Sequence, residues 1–516
     1  MKLSKNINKE YLFSKDNNVL KISKIGIEKE SLRVLNSRIS NKPHDSDLFG
    51  SPLLNKFITT DFSESLMELI TPPSSETNKT LNFLDSLHQN VSKKISSEVL
   101  WPLSMPPYIN SDIDIPIAYY GNSDSAYFKR VYRNGLSNRY GRQMQAIAGI
   151  HFNYSLDDNS LKNLFTQDSE IDFKEKSIVY FNGLRNLMKM NWLLLYLFGA
   201  SPFVSKSLVA EKKSNFEKLN EKTLFMPYAT SLRMSDIGYQ NIKQKNLNIS
   251  FNGLDEYIKD LKEATETPSK IFAEINDGEG LNYSQINSNI LQIEDEYYST
   301  ARPKSSVLSN ERMINKLCKY GVNYLELRSI DLNPFQASGI NLETVRFLEI
   351  FILYCLVTSS PKISKSVMSE ISNNDLLVSR EGRKPGLKLS KNKKSITLED
   401  WANQILDEML ELVSKIGSDQ KVFVDAILNS KAQILEKDLT LSSQVFHKVR
   451  DRDLSYEEFG MFLGGLHKEA YSKSSLIDQH NEKLIEKEIA NSNEEEKKLE
   501  RYTKKSFDGY LRDYFG

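Results

Sequence analysis

KIGIEKESLRVL, residues 24–35, reads as an extended strand in which Glu28 and Glu30 point the same way, with Cα atoms ~6.5–7 Å apart. Two carboxylates at that spacing suit adjacent divalent cations. Downstream, TTDFSESLMELITPP (59–73) puts Leu66, Glu68 and Ile70 on one strand face and Met67 and Leu69 on the other, and Pro72-Pro73 ends the run. A helix over 61–70 fits the same letters, because Asp61, Glu64 and Glu68 are spaced by three and four. RQMQAIAGIHFNYSL (142–156) alternates Gln143, Gln145, Ile147, Gly149, His151 and Asn153 with Met144, Ala146, Ala148, Ile150, Phe152 and Tyr154. VNYLELRSIDLNPF (322–335) sets Tyr324, Glu326, Arg328 and Ile330 opposite Leu325 and Leu327.

Each alternation alone describes an ordinary antiparallel strand with one wet face. Placed in one sheet, they gather Glu28, Glu30, Glu68, Glu326 and His151 on its open side, with Asp61 nearby. Carboxylates so crowded repel and raise one another's pKa unless divalent cations neutralise them. Hard oxygen donors favour Mg²⁺ or Mn²⁺, and such sites clamp substrate phosphates. Arg328, on the face of Glu326, is placed to bind a transferring phosphoryl group.

The rest of the chain limits the alternatives. In 516 residues Lys+Arg and Asp+Glu both total 68, so no global charge attracts nucleic acid or anionic membrane. The start lacks the apolar core and cleavage site of a secretory signal, and Met190 to Phe203, interrupted by Gly199 and Pro202, is too short to span a bilayer. A cytoplasmic protein is expected, with Cys318 and Cys355 as buried free thiols. No GxxxxGK[ST], GxGxxG, HExxH or GxSxG signature occurs. His44, His88, His447, His467 and His480 read as surface residues, and GMFLGGLHKEA (460–470) as a helix interrupted by packing glycines. Beyond Leu398 the pattern is mostly helical: Ile405, Met409, Leu412 and Ile416 share a face, and 481–512 reads as a solvated helix or frayed tail.

Ten collinear segments carry a resemblance: GIEKESLRV (26–34), TTDFSESLMELITP (59–72), WPLSMPPYI (101–109), YRNGLSNRYGRQMQAIAGIHFNYSL (132–156), YLFGASP (196–202), MPYATSLRMSDIGY (226–239), INSNILQIEDEYY (286–298), ARPK (301–304), YLELRSIDLNPF (324–335) and EGRKPGL (381–387). Together they resemble the proteobacterial-type glutamate–cysteine ligases. The resemblance covers about residues 20–390 and weakens from Leu387 onward. It implies an α+β, glutamine synthetase-like fold, with a curved, mainly antiparallel sheet forming a funnel-shaped active site, helices behind it and a helical C-terminal region. The expected division is a catalytic region over 1–390 and a mostly helical region over 391–516 packed on it.

The implied reaction joins L-glutamate to L-cysteine with ATP as co-substrate, giving γ-L-glutamyl-L-cysteine, ADP and phosphate, the first step of glutathione biosynthesis. The same resemblance implies two or three Mg²⁺ ions, with Mn²⁺ as a substitute, held by Glu28, Glu30, Asp61, Glu68, His151 and Glu326. It further implies Arg328 on the phosphoryl group and Asp61 as acceptor of the amine proton or binder of the incoming ammonium. Arg233 is implied on a substrate α-carboxylate, with Tyr132, Gln145, Tyr239 and Tyr298 around cysteine and Arg133 on phosphate. Partners are small molecules, with no nucleic acid and no membrane, and the chain is expected to be a monomer. A ligase joining glutamate to another amine, or a two-metal phosphodiester nuclease, fits the acidic strands as well; the absence of a basic stripe disfavours the nuclease.

Overall fold

The computed structural model describes residues 1–14, 23–165, 171–209, 215–238, 244, 247–275, 283–306, 311–416, 420–452, 454–473, 478–502 and 506–516. Its centre is an eight-stranded sheet in which every ladder is antiparallel. From one edge the order is Ala301–Lys304, Tyr324–Ile330, Ile150–Leu156, Ser23–Leu35, Leu66–Ile70 and Ile58–Thr60; the short strands Arg38–Ile39 and Val99–Leu100 pair with the far end of Ser23–Leu35. The α+β expectation with a mainly antiparallel sheet therefore holds.

Residues directly opposite in an antiparallel ladder share a face. Glu28 faces His151, Glu30 faces Glu68, and Glu326 faces Asn153, so the polar residues of four strands line one side. Ile27, Phe152 and Leu327 form the other side, each at most 1% exposed. That apolar side packs on the helices Thr77–Lys94 and Phe173–Phe198, with Leu342–Val357 behind them. The Phe173–Phe198 helix is buried nearly all round in its second half, as its run from Met190 requires. Among the described residues no helix is long and apolar enough to cross a membrane. Lys29 interrupts the apolar side: it is 2% exposed, and burial pushes its amine down to about 7, with Asp85 offsetting only part of the cost.

Several sequence readings change here. The strand reading of Leu66–Ile70 holds and the helical alternative over 61–70 does not: Ile58–Thr60 and Leu66–Ile70 pair across a tight turn at 61–65, which satisfies their backbone in the sheet. The 142–156 alternation is a strand only from Ile150; Gln143–Ala146 is a turn of 3-10 helix. A register shift between Leu327 and Ile330 puts Ile330 opposite Ile150, moving it from the expected polar face to the core, where it is 1% exposed. The helix Tyr456–Lys473 runs uninterrupted through its glycines, and Gly460 leaves room for the Trp101 ring, which a Cβ would meet at 2.0 Å. His44 and His88 are buried and His467 half-buried, whereas Cys318 is exposed on the outer side of the short helix Met313–Tyr320.

The C-terminal residues do not float. Gln479–Tyr502 lies against the helices Ser46–Phe49 and Thr77–Lys94, burying Ile485 and Ile489. Its Glu486 accepts from Asn90 at 2.7 Å, and Asn493 donates to the Ser46 carbonyl at 2.7 Å. Phe507–Phe515 packs on the helix Asp124–Tyr140.

One buried ion pair ties the far end of the central strand to its surroundings. Arg33, 3% exposed, donates to Glu98 at 3.0 Å and to the carbonyls of Lys42, Pro43 and Glu64 at 2.7, 3.1 and 3.0 Å. Removing one partner strands a buried charge. Glu98→Leu should thus cost about 3–5 kcal/mol of unfolding free energy, and Arg33→Leu together with Glu98→Leu should cost clearly less than the two single losses summed. Urea denaturation of the four proteins measures this, and strict additivity would show that the pair does not act as a unit.

Candidate active site

The polar side of the sheet forms the floor of a cavity of about 1020 Å³. Of the residues expected to be functional, Glu28, Glu30, Asp61, Glu68, Tyr132, Arg133, Gln145, His151, Tyr298, Glu326 and Arg328 all line it. Tyr239 lies outside the described residues. Arg233 does not reach the cavity surface: it is 2% exposed, 3.5 Å from Asp331 and 2.8 Å from the Arg328 carbonyl, to which it donates.

Glu28, His151 and Glu326 can each present one ligand atom within 4.8 Å of the others. His151 Nδ1 lies 3.2 Å from Glu28 and 3.8 Å from Glu326, and its Nε2 lies 3.6 Å from Glu30. Asn153 orients Glu28 by donating to it at 2.8 Å. Glu30 accepts from the Gly149 amide at 2.8 Å, and a Cβ at Gly149 would come within 2.0 Å of the Arg233 guanidinium. That position admits only glycine without displacing Arg233. The donor set, carboxylates and one imidazole with one buried Glu326 oxygen lacking a hydrogen-bond partner, fits a hard divalent cation.

Electrostatics divides the carboxylates. Burial pushes Glu326 up, but Lys304 at 3.8 Å and Arg328 at 3.1 Å hold it well below the ordinary range. Burial also acts against Glu28, and the hydrogen bond with His151 brings it below its usual value. Glu30 and Glu68 go the other way. Burial raises both; Asp61 adds to Glu30, and Glu28, Asp61 and Glu30 add to Glu68, which titrates well above a normal glutamate. Burial would lower Arg328 and Lys304, yet Glu326 more than restores both.

Asp61 sits on the rim with its side chain 42% exposed, its carboxylate 3.9 Å from Arg133. The Arg133 Nε donates to the Asp61 carbonyl, and its guanidinium lies over the Tyr120 ring, 4.5 Å from the centroid. Tyr298 donates to Met234 Sδ at 3.4 Å, and Tyr132 accepts at its carbonyl from Gln292 at 3.3 Å.

Sequence reasoning missed a number of cavity residues. Arg302 and Lys304 come from the edge strand, and their alternation in ARPK was a legible signal. Phe62 follows Asp61 directly. Lys129 lies one turn before Arg133 on the same helix; burial and then Arg133 lower its amine to about 8. Lys498, Tyr510 and Tyr514 arrive from the C-terminus, with no local signal at all.

The family model described as glutamate-cysteine ligase matches residues 10–378. The glutamate–cysteine ligase of Alcanivorax borkumensis is 40% identical over 501 residues, 95% of each chain. That of Pseudomonas putida is 41% identical over 465 residues, 88% of this chain and 87% of its own. The crystal structure of Francisella tularensis glutamate–cysteine ligase in complex with AMP matches with a TM-score of 0.90 at 34% identity, covering 96% of this chain and 97% of that one. A bifunctional glutathione synthetase from Pasteurella multocida shares the fold, with a TM-score of 0.71 over 90% of this chain and 54% of its own. With the carboxylate floor and these matches together, the chain belongs to the glutamate–cysteine ligase family.

Proposed function

We propose that this chain joins the γ-carboxylate of L-glutamate to the amine of L-cysteine, consuming ATP and releasing γ-L-glutamyl-L-cysteine, ADP and phosphate. The observation that carries the reading is the meeting of Glu28, His151 and Glu326 with Arg328 and Lys304 on one sheet face, inside a cavity walled by Tyr132 and Tyr298. A free carboxylate is a poor electrophile. Its oxygen attacks the γ-phosphorus of ATP, ADP leaves, and γ-glutamyl phosphate results. The amine of cysteine then attacks the acyl carbon, the C–O bond to phosphate breaks, and the ammonium proton passes to a base.

In this scheme Glu28, Glu30, Asp61, Glu68, His151 and Glu326 would hold two or three Mg²⁺ ions, which would supply positive charge to the phosphates; Mn²⁺ has the same preference for oxygen donors. Arg328 lies beside Glu326 and offers a planar fork to the phosphoryl oxygens in flight. Asp61, half-exposed on the rim, is assigned to take the amine proton. Arg133 is assigned to phosphate. Tyr132, Gln145, Tyr298 and Tyr239 are assigned to cysteine. Arg233, assigned to a substrate α-carboxylate, is buried beside Asp331 at 3.5 Å and outside the cavity lining, so that role requires its guanidinium to turn toward the cavity. The chain is assigned as a cytoplasmic monomer acting on small molecules.

The test is ADP release with Mg²⁺ and glutamate, comparing cysteine, 2-aminobutyrate and ammonia. Cysteine should be turned over best and 2-aminobutyrate should replace it with a higher KM, since its methyl keeps the shape and loses the thiol contacts, about 1–3 kcal/mol. A thioester product, or equal turnover of ammonia, overturns the reading.

Glu28→Gln and Glu326→Gln should each nearly abolish turnover and weaken Mn²⁺ binding measured by calorimetry; thermal unfolding should stay close to wild type for Glu28→Gln and fall for Glu326→Gln, which leaves Lys304 and Arg328 without their carboxylate. Burial raises Glu30 and Glu68 in the metal-free protein, so over the range where they titrate a cation competes with protons for them. Apparent Mn²⁺ affinity should therefore strengthen as pH rises through those titrations, with net proton release; a pH-independent affinity would show that these carboxylates do not meet the ion.

Arg328→Lys keeps charge and loses the fork. Its kcat should fall strongly while the KM for cysteine changes little. Unchanged kcat would leave the pairing with Glu326 as its only role.

A further inference from the structure

The helix Phe507–Phe515 lies beyond the residues that the family model matches, yet Tyr510 and Tyr514 form part of the cavity wall. Its aromatic side packs on the helix Asp124–Tyr140, which brings Lys129, Tyr132 and Arg133 into the same cavity. The Tyr514 ring sits 4.4 Å from Phe128 and that of Tyr510 at 5.6 Å; Phe507 meets Tyr127 edge-on at 4.6 Å. Phe128 and Val131 are buried in this small cluster, and Tyr132 packs against it. Two further contacts anchor the helix from the other side: Tyr283 donates to Asp508 at 2.6 Å, and Arg312, itself paired with Glu294, lies 5.0 Å from the Phe515 ring. The helix buries no residue completely. It therefore adds little core, and its rings lie against the Asp124–Tyr140 helix, Tyr283, Arg312 and the cavity.

We propose that the C-terminal helix is the outer wall of the active site, with Tyr514 a positioning residue that, through Phe128, sets the placement of Tyr132 and limits water at the reacting acyl group. The inference rests on the ligase reading and deepens it. An acyl phosphate open to solvent is hydrolysed: water attacks the acyl carbon, phosphate leaves, glutamate is regenerated and ATP is consumed without amide. A wall built from hydrocarbon rings excludes that water, and a shift of Tyr132 acts on the amine substrate first. Tyr514 contributes through ring packing, so its hydroxyl is dispensable.

The experiment compares wild type, Tyr514→Ala and Tyr514→Phe in the full-length chain, measuring ADP released per γ-glutamylcysteine formed and the KM values for cysteine, glutamate and ATP. For Tyr514→Ala the cysteine KM should rise about tenfold, the scale of a lost pocket contact. The KM values for glutamate and ATP should stay near wild type, and ADP should exceed amide. Tyr514→Phe should match wild type in every readout. Phe128→Leu perturbs the same contact from the other side and should reproduce the alanine signature. A one-to-one ADP-to-amide ratio with an unchanged cysteine KM in both Tyr514→Ala and Phe128→Leu overturns the proposal, as does an equal rise in all three KM values. Absence of cysteine-dependent ADP release in the wild type instead sinks the ligase reading, and this inference with it.

Discussion

Four glutamates on the cavity face of one sheet are a standing electrostatic cost, and the architecture of this protein is organised around it. Two like charges 4 Å apart repel by about 4 kcal/mol at an effective dielectric constant near 20. The chain supplies compensation unevenly. Lys304, Arg302 and Arg328 stand around Glu326, so that end of the cluster is strongly ionised. Toward the strand Leu66–Ile70 positive charge runs short, and Glu68 and Glu30 hold their protons more tightly than free glutamates. The deficit lies on the side facing Asp61 and Arg133. On the proposed chemistry, that is where added positive charge stabilises the site most.

Such a cluster persists only on a support that cannot relax by spreading. A central antiparallel sheet provides it, because each glutamate is fixed by ladder hydrogen bonds on both sides and backed by a packed apolar layer. Arg33 adds a lateral restraint three residues after Glu30, holding the carbonyl of Glu64 just ahead of the strand that carries Glu68. The side chain of Glu64 is itself used locally, accepting from the amides of His44 at 2.7 Å and Tyr119 at 2.8 Å. This explains why one acidic residue in the 61–68 run belongs to the scaffold and not to the cavity.

Period-two alternation made the sheet legible, and with it the residues that face the cavity: Glu28, Glu30, Glu68, His151 and Glu326 follow from strand parity alone. Parity fails where the ladder does. The register shift before Ile330 reverses its face, and the 3-10 turn at Gln143–Ala146 ends the alternation that its letters continue. Lys29 and His88 show the second limit, since polar residues can be buried wherever the far side of a sheet is covered, and no local pattern records which helix covers it. The third limit is sequence distance. The charged stretch 481–512 has the composition of a solvated helix, and the place of its described helix Gln479–Tyr502 against the other layers depends on a few residues such as Ile485 and Ile489, which one sequence does not distinguish from chance.

Floor and walls of the cavity consequently obey different physics. The floor is made by strands, whose residues are interlocked by hydrogen bonds and tolerate little change: a methyl group at Gly149 already collides with Arg233. The walls come from the Asp124–Tyr140 helix, the segment around Tyr298 and the C-terminal helix, joined mainly by ring contacts, which are individually weak and directionally tolerant. A reaction that begins with the same phosphoryl transfer whichever amine follows needs an invariant floor. Selection among amines needs surfaces that can be reshaped without disturbing the charged cluster. On the proposed assignment of the ring-built walls to the amine substrate, separating the two onto a sheet and onto aromatic helices lets the acceptor pocket change by substitution of rings while the carboxylates keep their positions.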